Sequence, residues 1–259
     1  ELAPLDNLAQ SAGRRVDGRL GADFLQRFVV EYDRGHDRLV LHDPETFEPP
    51  RGGVVFPLRL VQGLPTLQVR LGGALPARLL LRTGMRFPLL LSAGLGPALQ
   101  LEPGAPGTRQ APLATPADGA ALFTVGRVTR LAFPAPGLAA ADEPALAGVP
   151  AALLPPGESL PAGVDLQGML GGEVLNRVDW ILDLTREELR FDPREMDGAP
   201  FVEDAAGLAW RAEPPDFAAF TVDWVLPGGP AAQAGLLPGD RLVSAEGRPA
   251  AQWRLEELV

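Results

Sequence analysis

Short apolar-polar alternations dominate the chain, and helical periodicity is confined to brief turns. Val54-Val55-Phe56-Pro57-Leu58 and Thr66-Leu67-Gln68-Val69-Arg70-Leu71 read as strands. A Gly72-Gly73 turn then leads into Ala77-Arg78-Leu79-Leu80-Leu81. The short apolar run Pro88-Leu89-Leu90-Leu91-Ser92 fits a buried strand. Residues 94–116, rich in Pro and Gly, read as a long loop, and strands are expected around 121–128 and 128–133. The Ala/Pro-rich stretch 134–163 supports no single assignment, 193–206 reads as a linker, and a new unit begins near Gly207.

One pattern recurs. VDGRLGADFLQRFVVEYDRGHDRLVL, from residue 16, is echoed 150 residues later by LQGMLGGEVLNRVDWILDLTREELRF, from residue 166. Gly18, Leu20, Gly21, Leu25, Arg27, Asp33 and Leu39 return as Gly168, Leu170, Gly171, Leu175, Arg177, Asp183 and Leu189. Each copy reads Gly-x-Leu-Gly, a helical turn, a strand, a charged turn and a second strand.

Composition narrows the class. Among 259 residues, 30 Gly and 28 Pro favour short strands joined by loops. All 23 basic residues are arginine, a bias we read as genomic. A net charge of −10 repels phosphate backbones, so nucleic acid is not an expected partner. The absence of cysteine excludes disulfides and thiolate metal sites. Two histidines, His36 (placed in a turn by pattern) and His42, are too few for a zinc site, so no metal and no cofactor is expected. No apolar run reaches membrane-spanning length.

Aliphatic Leu79-Leu80-Leu81 runs into Arg82-Thr83-Gly84-Met85, and a later Met169-Leu170-Gly171 precedes a helical turn and hairpin. Together these resemble a lobe of the retropepsin-like aspartic peptidases; Arg19-Leu20-Gly21 with Asp23–Phe28 resembles the second motif of another lobe. The resemblance implies a mainly β fold of tandem closed β-barrel lobes. It also implies a pair of aspartates sharing one proton across a pseudo-twofold axis, one acting on water and one on the carbonyl oxygen. In that family an Asp stands where this sequence has Arg82, followed by Thr83 and Gly84. Arginine cannot accept a proton at ordinary pH, and it would ion-pair with a facing carboxylate. Residues 82–84 are therefore expected to keep a loop without its chemistry.

Gly84 and Gly171 stand 87 residues apart. The same spacing applied back from Gly21 puts a companion Asp-Thr-Gly about 66 residues before residue 1. Residues 1–50 are thus expected to be the C-terminal part of a first lobe, 51–200 a second lobe and 201–259 a further domain, with the chain a fragment at both ends.

That further domain resembles a PDZ domain. Phe220–Val225 reads as a strand. Gly229-Pro230-Ala231-Ala232-Gln233-Ala234-Gly235-Leu236 and Gly239-Asp240-Arg241-Leu242 come next, with a tight turn at Glu246-Gly247. By resemblance, Gly207-Leu208-Ala209-Trp210 would be the carboxylate-binding loop and the peptide-pairing strand. Trp210, Leu255 and Leu258 would line the side-chain pocket, although Trp210 reads equally as core. A helix is expected from Gln252 to Leu258.

The resemblances imply an aspartic-type endopeptidase carrying a peptide-binding domain. The alternative is an inactive pseudopeptidase serving as a peptide-binding or scaffold protein. The expected partner is a peptide or protein substrate, held through its C-terminus in the PDZ reading; a homodimer is one source of a second carboxylate. A bacterial, periplasmic or secreted setting follows from the family alone.

Overall fold

The computed structural model describes residues 5–115, 119–155, 158, 160, 165–201 and 206–258. These fall into two compact units, one within Leu20–Arg109 and Thr124–Phe201, the other within Glu1–Arg19, Gln110–Phe123 and Val202–Val259. The chain runs through helices α1 (Asp6–Ala12) and α2 (Ala22–Leu25), then strands β1 (Val29–Asp33), β2 (Arg38–His42), β3 (Val54–Val61), β4 (Leu64–Leu71), β5 (Leu75–Arg82) and β6 (Leu89–Leu91). Next come α3 (Gly96–Leu99), β7 (Arg109–Thr115), β8 (Gly119–Ala132), β9 (Ala145–Leu153), β10 (Gly168–Gly171), α4 (Gly172–Leu175), β11 (Trp180–Asp183) and β12 (Glu188–Phe191). The last elements are β13 (Leu208–Glu213), β14 (Ala219–Val225), α5 (Pro230–Gln233), β15 (Ser244–Ala245) and β16 (Arg248–Pro249).

The chain is mainly β, and its largest sheet has 12 strands in the order β2-β1-β11-β12-β3-β4-β5-β10-β6-β9-β8-β7. At its end β4 also meets β8, Arg70 opposite Ala132 and Leu71 opposite Leu131, so β4, β5, β10, β6, β9 and β8 form a ring of pairings. Alternation decides which side chains enter: Phe56 and Leu58 of β3 are buried while Pro57 and Arg59 are exposed. Inside, Phe56 stacks on Phe191 at 4.1 Å and Phe133 meets Phe191 edge-on at 5.8 Å.

The repeat is structural as well as sequential. Asp37 and Glu187, equivalent turn positions, both take left-handed φ, 47° and 54°. Asp33 Oδ1 accepts from the backbone N–H of His36, and Asp183 Oδ1 from those of Thr185 and Arg186. The recurring aspartate is thus a turn cap. The two hairpins pair antiparallel through β1 and β11: Val29 faces Asp183, Tyr32 faces Trp180, and Glu31 faces Ile181, its own counterpart. A pseudo-twofold axis therefore passes through the Glu31–Ile181 pair. Tyr32 and Trp180 stack across the strands at 5.5 Å.

Several local expectations fail. The loop expected over 94–116 contains α3 and β7. Gly96-Pro97 opens α3, and Leu101, 2 % exposed, anchors the chain just after it. The strand β7 holds Pro112 at the last place in the sheet order, where a missing N–H is tolerated. The two strands expected over 121–133 are one 14-residue strand. Ambiguous 134–163 supplies β9. The first part of the expected 193–206 linker is packed: Phe201 is buried, with the Arg177 guanidinium 3.6 Å above its ring.

In the smaller unit, β13 pairs with β14, and β14 is bridged on its other edge by Thr221–Arg241. The short helix α5 ends before Gly235, at φ 86°, and Glu246-Gly247 turns at φ 49° and 76°. The helix expected over 252–258 is two 3-10 turns, 250–252 and 255–257, broken by extended Trp253. The Trp253 indole donates to the Arg248 carbonyl at 3.3 Å and lies under the Arg248 guanidinium, which holds it out of helical geometry. Residues 5–19, expected to belong with the first hairpin, lie instead in this unit, where α1 packs against β13. No helix among the described residues is long and apolar enough to cross a membrane.

Candidate functional site

Two loops carry the candidate chemistry of the large unit, and the sheet brings them together. The run Leu79–Leu81 becomes β5 because its aliphatics pack on β4 and β10. Strand β10 lies parallel to β5, Gly168 opposite Leu79 and Gly171 opposite Arg82, and antiparallel to β6. Past Arg82 the chain turns: Met85 N–H donates to the Arg82 carbonyl at 2.9 Å. The other motif grips that turn. Gly171 N–H donates to the Pro88 carbonyl at 2.8 Å and Gly172 N–H to the Met85 carbonyl at 2.7 Å. A Cβ on Gly171 would overlap the Phe87 carbonyl oxygen, and one on Gly172 would sit 2.6 Å from that of Thr83.

The close backbone approach within this lobe is at Gly171 and Gly172, while a Cβ on Gly84 would meet nothing within 4 Å. Thr83 and Gly84 are exposed and Arg82 is half-buried. Among the described residues the Arg82 guanidinium has no hydrogen-bond or ion-pair partner. Beneath the turn is a small apolar cavity lined by Leu81, Thr83, Leu175, Trp180, Leu182 and Leu189. At the head of this turn Arg82 places a guanidinium, a group that does not accept a proton at ordinary pH.

Sequence reasoning missed Glu173, at the start of α4. Burial pushes its carboxyl above the ordinary glutamate value, against the opposing pull of Arg177 and Arg86. An acid directly after Gly171-Gly172 was the available signal.

In the smaller unit, Gly207 has φ 69°, and its carbonyl accepts from Leu226 N–H at 2.7 Å, which fixes the turn into β13. Leu208, Ala209 and Trp210 are half-buried on that strand, with a bulge between Ala209 and Trp210. Trp210 and Leu258 pack against the cluster of Ala212, Phe220 and Leu255. Leu255 itself is only 4 % exposed, so this expected pocket residue is a closed one. Its cover is Gly13: a Cβ there would lie 2.6 Å from Leu255 Cβ. The segment 5–13 was also missed, although Leu5, Leu8, Ala9 and Ala12 before Gly13 carry helical spacing and a stop.

A PDZ domain family model covers most of the strand β14, the helix α5 and the turns beyond it. Residues 221–259 match the PDZ domain. No curated protein matches the chain. Among solved structures it is similar to a retropepsin-like aspartic protease from Rickettsia conorii, at 11 % identity and a TM-score of 0.36. That alignment covers 54 % of this chain and 89 % of that one. It is also similar to Basic 7S globulin from soybean, at 13 % identity and a TM-score of 0.36, covering 64 % of this chain and half of that one.

Proposed function

We propose that this chain is a peptide-binding protein on an aspartic-peptidase-like scaffold, and that its visible lobe is catalytically inert. The observation that carries the reading is Arg82. It stands at the head of a turn gripped by Gly171 and Gly172, and its guanidinium has no partner among the described residues. A guanidinium neither takes a proton from water nor shares one with a second acid. Thr83 and Gly84 keep the turn without the chemistry.

Binding then falls to the PDZ domain. Residues 207–210 would receive a peptide as an added strand along β13, with backbone N–H groups near Gly207 holding its terminal carboxylate. Trp210 and Leu258 would flank its last side chain. On the same reading residues 20–42 belong to a companion β lobe related to residues 51–200 by the axis at Glu31–Ile181. That axis is also what favours the second reading, an endopeptidase whose carboxylates come from a companion lobe or a second copy. A periplasmic or secreted bacterial setting belongs to the proposal.

Fluorescence anisotropy with a labelled peptide tests the binding. A free C-terminus should bind at least tenfold tighter than its amidated form; equal affinities would remove the PDZ reading. Arg82→Asp should leave the chain without peptidase activity, because one carboxylate does not make a shared-proton pair. Pepstatin-sensitive cleavage by that variant would restore the enzyme reading.

A further inference from the structure

We infer that residues 5–13 are an internal occupant of the PDZ peptide site, which a peptide must displace in order to bind. The inference rests on β13 being the peptide-pairing strand. Among the described residues β13 is paired on one edge only, by β14. An incoming strand needs the other edge, with Leu255 facing its side chains. Helix α1 packs against that same strand, with Ala9 8 % exposed.

The end of the helix makes the second contact. Gly13 closes α1 in the left-handed conformation, φ 65°, and Arg14 N–H donates back to the Ala9 carbonyl at 3.1 Å. Without a side chain Gly13 lies directly on Leu255, where an added Cβ would come within 2.6 Å of Leu255 Cβ and 3.3 Å of Cδ2. Leu255 in turn packs with Ala212 of β13. One nine-residue segment therefore touches both β13 and Leu255, the two parts that the peptide-binding reading uses.

The cover is suited to leaving. A seven-residue helix is marginal on its own, so its docking depends on these contacts. Its N-cap position, Leu5, makes no side-chain cap, and only Ala9 on the helix is buried. A peptide offering a terminal carboxylate and a strand's worth of hydrogen bonds has what α1 lacks.

Gly13→Val in the intact chain tests this. Valine is strained at that φ and collides with Leu255. Amide exchange reads the helix directly, and a fluorescein-labelled peptide with a free apolar C-terminus reads the site. Exchange along 208–213 should quicken while Phe220 and Val222 stay protected, and the peptide Kd should fall at least tenfold. Should Phe220 and Val222 lose protection as well, Ala9→Arg, on the buried face of the helix, replaces the variant with the same expectations. Faster exchange with an unchanged Kd overturns the competition. Unchanged exchange in both variants overturns the docking. Faster exchange with no peptide bound by either protein overturns the inference together with the peptide-binding reading beneath it.

Discussion

The two hairpin copies share a sequence pattern, a turn cap and a left-handed turn residue, yet they live in different surroundings. Leu170, Leu189 and Phe191 are 0 %, 2 % and 5 % exposed; their counterparts Leu20, Leu39 and Leu41 are 65 %, 61 % and 42 % exposed. The second copy is covered because β3 pairs with β12, and because β10 lies between β5 and β6. Among the described residues the first copy has no counterpart of β3 or β10, and β2 is the edge of the sheet. The hairpin is therefore encoded locally, by turn chemistry and alternation, while its burial is supplied by the strands packed around it. The second copy thus buries an apolar face that the first copy presents to solvent.

Paired substitutions sharpen the contrast. Leu189→Ala should lower stability by about 2–5 kcal/mol, whereas Leu39→Ala should stay within about 0.5 kcal/mol, both read from urea unfolding. Equal losses would mean that the first face is covered too. Gly171→Ala should cost about 2–3 kcal/mol, because its Cβ would overlap a fixed backbone carbonyl. The equivalent Gly21→Ala meets only the tip of the Asp23 side chain, at 2.6 Å, and should cost under about 0.5 kcal/mol.

The charged positions give smaller effects. Burial raises the Glu173 carboxyl above the ordinary glutamate range, so the fold favours its protonated form. The ionised form then costs stability, a cost absent at low pH that develops as pH rises through the raised pKa. Glu173→Gln should raise the urea midpoint at neutral pH and leave it unchanged below the carboxylate range. Smallest is the residue that closes each hairpin. The side-chain and backbone hydrogen bonds from Arg194 hold the Asp192 carboxyl down at about 2, while the equivalent His42 pairs with Glu31 at 2.6 Å. Carboxyl-detected NMR should find Asp192 still ionised at pH 3, and its small contribution to stability, full above the ordinary aspartate range, should fade as pH falls from that range through about 2.

Legibility in the sequence divides the same way, between local encoding and tertiary supply. Both hairpins, the strands β3 to β6 and the turns of the PDZ domain were legible because each carries its own period and its own Gly or Asp. The strand β7 was not, since its Pro and Ala become a strand only beside β8. The join of 121–128 to 128–133 was hidden because Gly126 looks like a break, yet its missing side chain makes room for Leu101: a Cβ there would lie 2.6 Å from Leu101 Cδ2. The helix expected after Gln252 gave way to a tertiary contact, Trp253 held by Arg248. At the candidate site, Arg82, Thr83, Gly84 and Met169-Leu170-Gly171 were found by motif. The grip of Gly171 and Gly172 on the turn after Arg82 and the cover on Leu255 are tertiary contacts with no local signal.

The most direct test of the central claim is a mass-spectrometric record of a peptide mixture incubated with the intact chain, with and without pepstatin. The account predicts that every peptide is recovered uncut, because on the proposed reading Arg82 stands where a shared-proton pair would need a carboxylate. New termini that disappear in the presence of pepstatin would contradict it.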